Sequence, residues 1–280
     1  MRRNIISTVG ISLLTNVKHE QEKGNLVIGQ LVSERRWTQL GEYLAKGNPA
    51  DRILGAELNS LAQFARIKHV RPKSIWFMMS DTHDARSIEE IFRGYFTASS
   101  WLGVKLSDIH FVYVEDLQDK DPGRFRSRGL RNLVREMARI INEQGPSSVA
   151  IDATGGYKAQ VALAVALGQA MSIPVYYKHE QFAYIIELPP MPITFDYDVF
   201  GRNAWLLQRL ENNATLTSSE IEPLEDRVKV LLQDVKIDGE RLWEISPIGL
   251  IYLAGYRQTV YPTISLPVAQ NRKLPTRPNH

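Results

Sequence analysis

The first two thirds of the chain alternate between short apolar runs and amphipathic stretches. The apolar runs fit buried strands and lie at 4–9, 74–79, 109–114, 149–151 and 175–177. Helical spacing fills the intervals between them, at 29–44, 56–67, 87–96, 128–142 and 159–171. This order predicts an α/β domain built on a doubly wound, mostly parallel, Rossmann-like sheet.

Polar residues follow these predicted strands at their carboxyl ends. Ser12 comes after the first strand, in what reads as a loop, and Ser80, Asp81 and Thr82 come after the second. Ligands of doubly wound sheets bind at this edge. The pattern therefore places the candidate site there.

Prolines at 189, 190 and 192 interrupt the pattern and predict a boundary near residue 195. The segment 196–261 then shows helical spacing at 203–212 and 223–233, a hairpin turn at Asp238-Gly239 and a helix cap at Ser246-Pro247. This order resembles a smaller, winged-helix-like domain. The proline-rich segment 262–280 is predicted to be a flexible tail, and Trp76, Trp205 and Trp243 are expected in the core.

Composition limits the classes of protein that the 280 residues can form. A hydrophobic fraction of 44% is that of a globular protein, and no apolar stretch is long enough to span a membrane. The absence of cysteine excludes disulfides and thiolate metal sites and fits a cytoplasmic location. The net charge is 34 minus 31, or +3, so attraction for nucleic acid depends on local clustering.

The most specific motif is Val-Ala-Ile-Asp-Ala-Thr-Gly-Gly-Tyr-Lys at 149–158, a strand that runs into a Gly-Gly turn and a helix. Glycines let the backbone approach a phosphate, and free amides at the helix start and Lys158 attract anions. The spacing matches neither a Walker loop nor the dinucleotide fingerprint. A tight turn that binds nothing is the alternative, and Thr154 and Lys158 favour an anion site.

Four segments resemble CARF proteins, the CRISPR-associated Rossmann-fold family. They are 7–16, 55–60, 80–82, and the 152–158 loop continuing to Glu187-Leu-Pro-Pro190, within a domain of about 1–195. The resemblance implies a homodimer that binds a cyclic oligoadenylate, the second messenger of type III CRISPR systems. Some members, the ring nucleases, also cleave the ring.

The chain departs from the family pattern at Asp152, where such proteins usually carry asparagine. An acid that faced the ligand would weaken phosphate binding. We therefore expect its carboxylate to bond local backbone amides.

The resemblance implies catalytic roles for Ser12 and Lys158, with neither metal nor cofactor. The other residues expected to bind the ligand are Thr8, Gly10, Ile11, Glu57, Asn59, Ser80, Asp81, Thr82, Arg124, Arg126, Thr154, Gly155, Gly156 and Tyr157. Two simpler interpretations stay open: Ser12 as a surface turn serine, and Glu57 and Asn59 as part of a helix cap.

The resemblance favours a ring nuclease that opens a cyclic oligoadenylate, and cyclic tetra-adenylate is the ring it leads us to expect. In the reaction it implies, a ribose 2'-hydroxyl attacks the neighbouring phosphate and leaves a 2',3'-cyclic phosphate. The alternative is a CARF sensor or transcription regulator that binds the ring without cutting it, and an RNA-cutting effector is the weakest candidate. DNA binding by the C-terminal unit is not expected, because the predicted helix at 247–256 is apolar.

Overall fold

A computed structural model describes residues 1–118, 120–179, 182, 184–193, 195–211 and 214–260. The predicted tail at 262–280 lies outside these residues, as does residue 261 of the predicted second unit. Within the described part of the chain, every helix is too short or too polar to cross a membrane.

The centre of the protein is a six-stranded sheet in the order β3-β2-β1-β4-β5-β6. Its strands are β1 (Arg2–Thr8), β2 (Val70–Ser80), β3 (Ile109–Val114), β4 (Val149–Asp152), β5 (Val175–Tyr177) and β6 (Ile186–Leu188). β1 to β5 are parallel, and β6 pairs with β5 in the antiparallel direction. The predicted doubly wound, mostly parallel sheet is therefore confirmed.

Successive residues of the strands bury opposite faces of the sheet, as the pleat requires. Ile5 and Phe77 pack in one core, and Ile6 and Met78 pack in the other. The first core lies under α1 (Ser12–Glu22), α2 (Leu26–Ser33), α3 (Trp37–Leu44), α4 (Gly55–Phe64) and α5 (His83–Ala98). The short α6 (Pro122–Arg124) precedes α7 (Leu130–Gln144) and α8 (Lys158–Ala170), and the last two cover the second core.

Two expectations about the N-terminal helices are wrong. The segment after β1 is not a loop, because Ser12 begins α1. The predicted helix at 29–44 is two helices, separated at Arg35, whose φ of 53° is incompatible with a continuous helix. No glycine or proline marks that break, so helical spacing alone could not reveal it.

The described residues after 195 contain a third core, a hairpin and five helices. Its elements are α9 (Asp198–Gly201), α10 (Ala204–Glu211), α11 (Ser218–Ile221), α12 (Asp226–Lys229), β7 (Leu232–Ile237), β8 (Glu240–Ile245) and α13 (Pro247–Val260). The hairpin turn is confirmed, with φ of 52° at Asp238 and 84° at Gly239. The helix predicted at 223–233 is wrong beyond Lys229, since β7 occupies Leu232 onward.

The last helix joins the two parts of the chain. Ser246 caps α13 by accepting a hydrogen bond from Gly249 N at 3.0 Å, as predicted. Ile251 and Ala254 enter the second core of the sheet domain, while Leu253 enters the C-terminal core. The domain boundary at 195–196 therefore stays a prediction, because one helix serves both cores.

The expected burial of the tryptophans holds in part. Trp76 is buried, and Trp243 is half-buried against the C-terminal core. Trp205 is 46% exposed, so its assignment to the core is wrong.

Gly94→Ala should destabilise the protein, because α3 and α5 cross at close range. A Cβ at Gly94 would overlap the Thr38 carbonyl oxygen and lie 2.8 Å from the Thr38 carbonyl carbon. Overpacking of this kind costs about 1–3 kcal/mol, which outweighs the higher helix propensity of alanine. Urea unfolding measures the loss. Gly201→Ala is the matched control, since nothing lies within 4 Å of its Cβ position, and equal stability of both variants would contradict the prediction.

Candidate functional site

The candidate site lies where the sheet reverses its winding direction. β1 and β4 are adjacent and parallel, but β1 leads into α1 on one face and β4 leads into α8 on the other. The two connections diverge and leave a crevice at the carboxyl ends of these strands. Ser12 and the loop 152–158 flank this crevice from opposite sides.

The Gly-Gly turn is required by internal packing. A Cβ at Gly155 would overlap the Glu57 carboxylate and lie 2.7 Å from the Thr8 carbonyl oxygen. Gly156 has φ of 93°, a left-handed conformation that favours glycine. Thr8 Oγ1 donates to the Gly155 carbonyl oxygen at 2.6 Å and fixes the turn to β1. The loop is thus locked against β1 and α4.

Asp152 is fully buried beneath this turn and does not line the crevice. Its carboxylate accepts hydrogen bonds from Ser7 Oγ at 3.3 Å, Thr154 Oγ1 at 2.6 Å and Ser60 Oγ. The backbone amide of Thr154 is a further donor. The expected bond from a local backbone amide is therefore present, but three hydroxyls supply most of the hydrogen bonds. Burial raises the pKa of Asp152 to about 6, against these bonds, which lower it.

Glu57 is the second buried carboxylate, on the first turn of α4 and 1% exposed. Its Oε1 accepts from Gly10 N at 2.7 Å, and its Oε2 accepts from Ser12 Oγ at 3.3 Å. Burial raises the pKa of Glu57 to about 7; the hydrogen bond from Gly10 opposes this, and the charge of Asp152 adds to it. Glu57 also accepts from its own backbone amide in the first turn of α4, and its bonds to Gly10 and Ser12 fix the β1–α1 turn.

Ser12 connects the starts of two helices. Its Oγ accepts a hydrogen bond from Ala56 N at 2.9 Å while it donates to Glu57. Gly55 permits this approach, since its φ is 76° and a Cβ there would lie 2.9 Å from Leu13 N. Ser12 is half-buried and held by partners on another helix, so the interpretation as a simple surface turn serine is wrong.

A cavity of about 380 Å³ opens above Ser12 and Thr154. Hydroxyl, amide and cationic side chains share its wall with one aromatic ring. The lining residues are Ser12, Asn16, Ala50, Arg52, Gly55, Ala56, Asn59, Gln63, Arg66, Thr154, Lys178 and Phe182. The three cations make this a site suited to an anion.

Only Ser12, Asn59 and Thr154 of these twelve lining residues were expected from the sequence as site residues. The other nine are Asn16, Ala50, Arg52, Gly55, Ala56, Gln63, Arg66, Lys178 and Phe182. Lys178 directly follows β5, so the rule that singled out Ser12 and Ser80 applied to it as well. Arg52, Gln63 and Arg66 lie around α4, which no strand-end rule indicates.

Several predicted ligand residues lie outside this cavity. Ser80 ends β2, and Asp81 and Thr82 follow it. Thr82 Oγ1 accepts from Ala85 N at 3.2 Å and caps α5. Asp81 forms an ion pair with Arg86 at 2.6 Å. These three side chains thus have local structural partners, and a role in ligand binding stays a prediction.

Lys158 and Tyr157 lie on the other side of the loop. Lys158 is exposed at the first position of α8 and does not line the cavity. The Tyr157 ring packs edge-on against Phe125 with centroids 5.3 Å apart. Arg124 pairs with Asp116 at 3.1 Å, and Arg126 is exposed on the π-helical turn Phe125–Gly129. The structure therefore separates Ser12 from Lys158 by the glycine turn.

The other predicted residues flank the β1 end of the cavity. Gly10 packs on the loop, since a Cβ there would lie 2.8 Å from Gly156 N. Ile11 is 57% exposed beside it, and Asn59 lines the cavity while donating to the Asp51 carbonyl oxygen at 2.6 Å. Within the described ranges, no three His, Asp or Glu side chains converge as a metal ion would need.

Comparison with known proteins identifies one family. The model of the family described as "CRISPR-associated protein (Cas_APE2256)" matches residues 52–191, half of the chain. A search of solved structures finds similarity to Can2 from Sulfobacillus thermosulfidooxidans, solved in complex with cyclic tetra-adenylate, at 14% identity and a TM-score of 0.34. That alignment covers 93% of this chain and 66% of the Can2 chain. No curated protein matches the sequence.

Asp152→Asn should stabilise the protein at neutral pH and not in acid. The folded-state pKa of Asp152, about 6, is above its ordinary value of 3.8, so the folded protein loses stability as the pH rises through that interval. Asparagine does not ionise, and the variant should gain on the order of 2–3 kcal/mol over the parent above the interval. Urea unfolding across this pH range, with the exposed Asp226→Asn as control, measures it. A pH-independent difference would contradict the prediction.

Proposed function

Because the chain belongs to the CRISPR-associated family described as Cas_APE2256, we propose that it binds a cyclic oligoadenylate and cleaves it. The observation that carries this proposal is the cavity at the switch point of the sheet, where three cations meet hydroxyl and amide side chains. A nucleotide ring offers the matching chemistry, with phosphate charges, ribose hydroxyls and aromatic bases. Cyclic tetra-adenylate is the ring we expect.

The cavity side chains divide by the part of the ring that each suits. Arg52, Arg66 and Lys178 suit phosphates, because cations neutralise the charge concentrated on the non-bridging oxygens. Phe182 is 49% exposed at the wall and offers a face on which a base can stack. Asn59 and Gln63 carry amides that suit base or ribose edges.

The proposed reaction is a transfer within the ring itself. The oxygen of a ribose 2'-hydroxyl forms a bond to the adjacent phosphorus as the bond from phosphorus to the 5'-oxygen breaks. The hydroxyl proton passes to a base or to solvent, and the leaving 5'-oxygen gains a proton from solvent. The products are a linear chain with a 2',3'-cyclic phosphate and a free 5'-hydroxyl, with no metal required.

Ser12 and Lys158 are proposed to act at different points of the ring. Thr154 lines the cavity, and Lys158 lies four residues later, across the glycine turn. A ligand confined to the cavity would not meet Lys158, whereas a ring lying over Gly155 and Gly156 would meet both groups. Lys158 would then stabilise the charge that grows on the phosphate as the fifth bond forms.

We also propose that the protein is a homodimer, because a ring with two-fold symmetry is most simply held by two identical loops about one axis. Light scattering with and without ring tests this. A monomer under both conditions would contradict it.

The alternative is a sensor or transcription regulator that binds the ring without cutting it. The C-terminal hairpin and helices are compatible with a transcription regulator, but α13 is poorly suited to be a DNA-recognition helix. Its Ile251 and Ala254 are buried in the second core, out of reach of a DNA groove. DNA binding by this part of the chain therefore stays unexpected.

Lys158→Ala should slow cleavage far more than it weakens binding. A charge contact made mainly in the transition state is typically worth about 3–4 kcal/mol, so the expected rate loss is on the order of hundredfold. Ser12→Ala should lose less if Ser12 only positions the ring, and more if it orients the attacking hydroxyl. Single-turnover cleavage and equilibrium binding of labelled cyclic tetra-adenylate, in excess chelator, measure both. Unchanged cleavage in Lys158→Ala, or dependence of the parent on added metal, would overturn the mechanism.

Arg66→Ala and Lys178→Ala should lower the affinity for the ring and should make that affinity less sensitive to salt. Each removes one cation from the cavity wall, so each variant should show a shallower decline of affinity with salt than the parent. Lys236→Ala is the control, because Lys236 is exposed on β7, outside the residues that line the cavity. Binding titrations at several salt concentrations measure the slopes. Equal slopes in all four proteins would exclude the cavity as the phosphate site.

A further inference from the structure

Glu57 has no role in the reaction just proposed, yet it lies directly beneath the site. Both of its oxygens are committed, Oε1 to Gly10 N at 2.7 Å and Oε2 to Ser12 Oγ at 3.3 Å. Gly10 follows β1 and Ser12 begins α1, so one carboxylate holds both sides of the turn between these elements. This arrangement determines what Ser12 can offer to a ligand.

The Ser12 hydroxyl has one hydrogen to donate and two positions at which it can accept. Ala56 N donates to one acceptor position at 2.9 Å, and the hydrogen points to Glu57. An ionised carboxylate can only accept, so it holds the hydrogen in that direction. One acceptor position remains, on a side chain that lines the cavity. Ser12 therefore faces the ligand as an acceptor.

An acceptor selects among the groups of a nucleotide ring. Phosphate oxygens carry no hydrogen at neutral pH, and they would also be repelled by the ionised Glu57 behind Ser12. A ribose 2'-hydroxyl can donate, and it is the group whose oxygen attacks in the proposed reaction. The geometry thus favours Ser12 as a partner of the hydroxyl and disfavours it as a partner of the phosphate.

We propose, on the basis of the proposed function, that Glu57 is a positioning residue that holds Ser12 as a hydrogen-bond acceptor for a ribose 2'-hydroxyl of the ring. This makes the site selective for an oligoribonucleotide over its deoxy counterpart. It also places the attacking 2'-oxygen beside Ser12. The hydrogen of the 2'-hydroxyl then points to Ser12 and away from the phosphate.

The charge state of Glu57 sets this polarity. Burial and the nearby charge of Asp152 in β4 raise the pKa of Glu57 to about 7, and Gly10 and Ser12 face it from the β1–α1 turn. The cavity above Ser12 carries Lys178 and the two arginines. When Glu57 gains a proton it can itself donate to Ser12, which turns the serine hydrogen toward the cavity. Selectivity for the 2'-hydroxyl should therefore be present above this pKa and lost below it.

The test is a binding measurement that does not depend on cleavage. Titration calorimetry at low temperature compares the affinity for cyclic tetra-adenylate with that for cyclic tetra-deoxyadenylate. The comparison is made at a pH above the pKa of Glu57 and at a pH below it. The parent should prefer the ribose ring by about tenfold at the higher pH, as expected for a hydrogen bond supported by a charged group. The preference should fall to about twofold or less at the lower pH.

Glu57→Gln is the decisive variant because it keeps the size of the side chain. The amide oxygen of glutamine can still accept from Gly10 N, but its amide nitrogen would donate to Ser12 and reverse the hydroxyl. This variant, like Ser12→Ala, should bind both rings with equal affinity at either pH. Glu42→Gln removes one exposed carboxylate on α3 and should behave as the parent. Urea unfolding checks that each variant is folded.

The outcomes separate the two proposals. If the parent binds neither ring, the proposed function fails and this inference fails with it. If the parent binds both rings equally, or if Glu57→Gln keeps the preference of the parent, only the role of Glu57 is overturned. A preference that depends on the adenine amino group, shown by loss of binding to the inosine ring with no difference between ribose and deoxyribose, would also overturn it.

Discussion

Two carboxylates are buried where β1 and β4 end, and the hydrogen bonds that they accept hold the surrounding elements in place. Asp152 gathers hydroxyls from β1, α4 and its own loop, and Glu57 binds the β1–α1 turn from α4. Burial of a carboxylate costs free energy unless its oxygens accept hydrogen bonds, so each of these donors has to stay in place. A substitution that removed one donor would leave an unsatisfied acceptor under the site. The geometry of the cavity wall depends on this pair.

The same constraint explains why the loop is rich in glycine. Glu57 occupies the space that a Gly155 side chain would need, and Gly156 adopts φ of 93° over the Gln160 side chain. The Gly-Gly turn is therefore packed from below by the protein, which leaves its upper surface as the part a ligand can approach. Preorganisation of this kind means that little loop ordering has to accompany binding.

The loop is also in contact with the C-terminal part of the chain through a short series of residues. Tyr157 packs on Phe125, and the carbonyl oxygen of Ser127 accepts from Gln233 Nε2 at 2.6 Å. Glu244 on the same hairpin pairs with Arg131 of α7. Because α13 packs against both α7 and α8, the same helices support the hairpin and the loop at 152–158. The C-terminal elements are thus part of the surroundings of the site.

The sequence by itself determined the positions of the five parallel strands, the doubly wound sheet, the hairpin at Asp238-Gly239 and the position of the glycine loop at a strand end. These features depend on local periodicity and turn chemistry, which a chain displays without its partners. Membership of a CRISPR-associated family also followed from the quoted motifs, and the family match confirms it.

Only the tertiary structure decided which side chains share the cavity. Gln63 on α4 and Arg66 just after it are far in sequence from Lys178, which follows β5. They meet because the sheet places their elements on one edge. Lys158 is close to Thr154 in sequence and yet lies outside the cavity, with the left-handed Gly156 between them. The raised pKa values of Glu57 and Asp152 likewise come from burial, which no local pattern encodes.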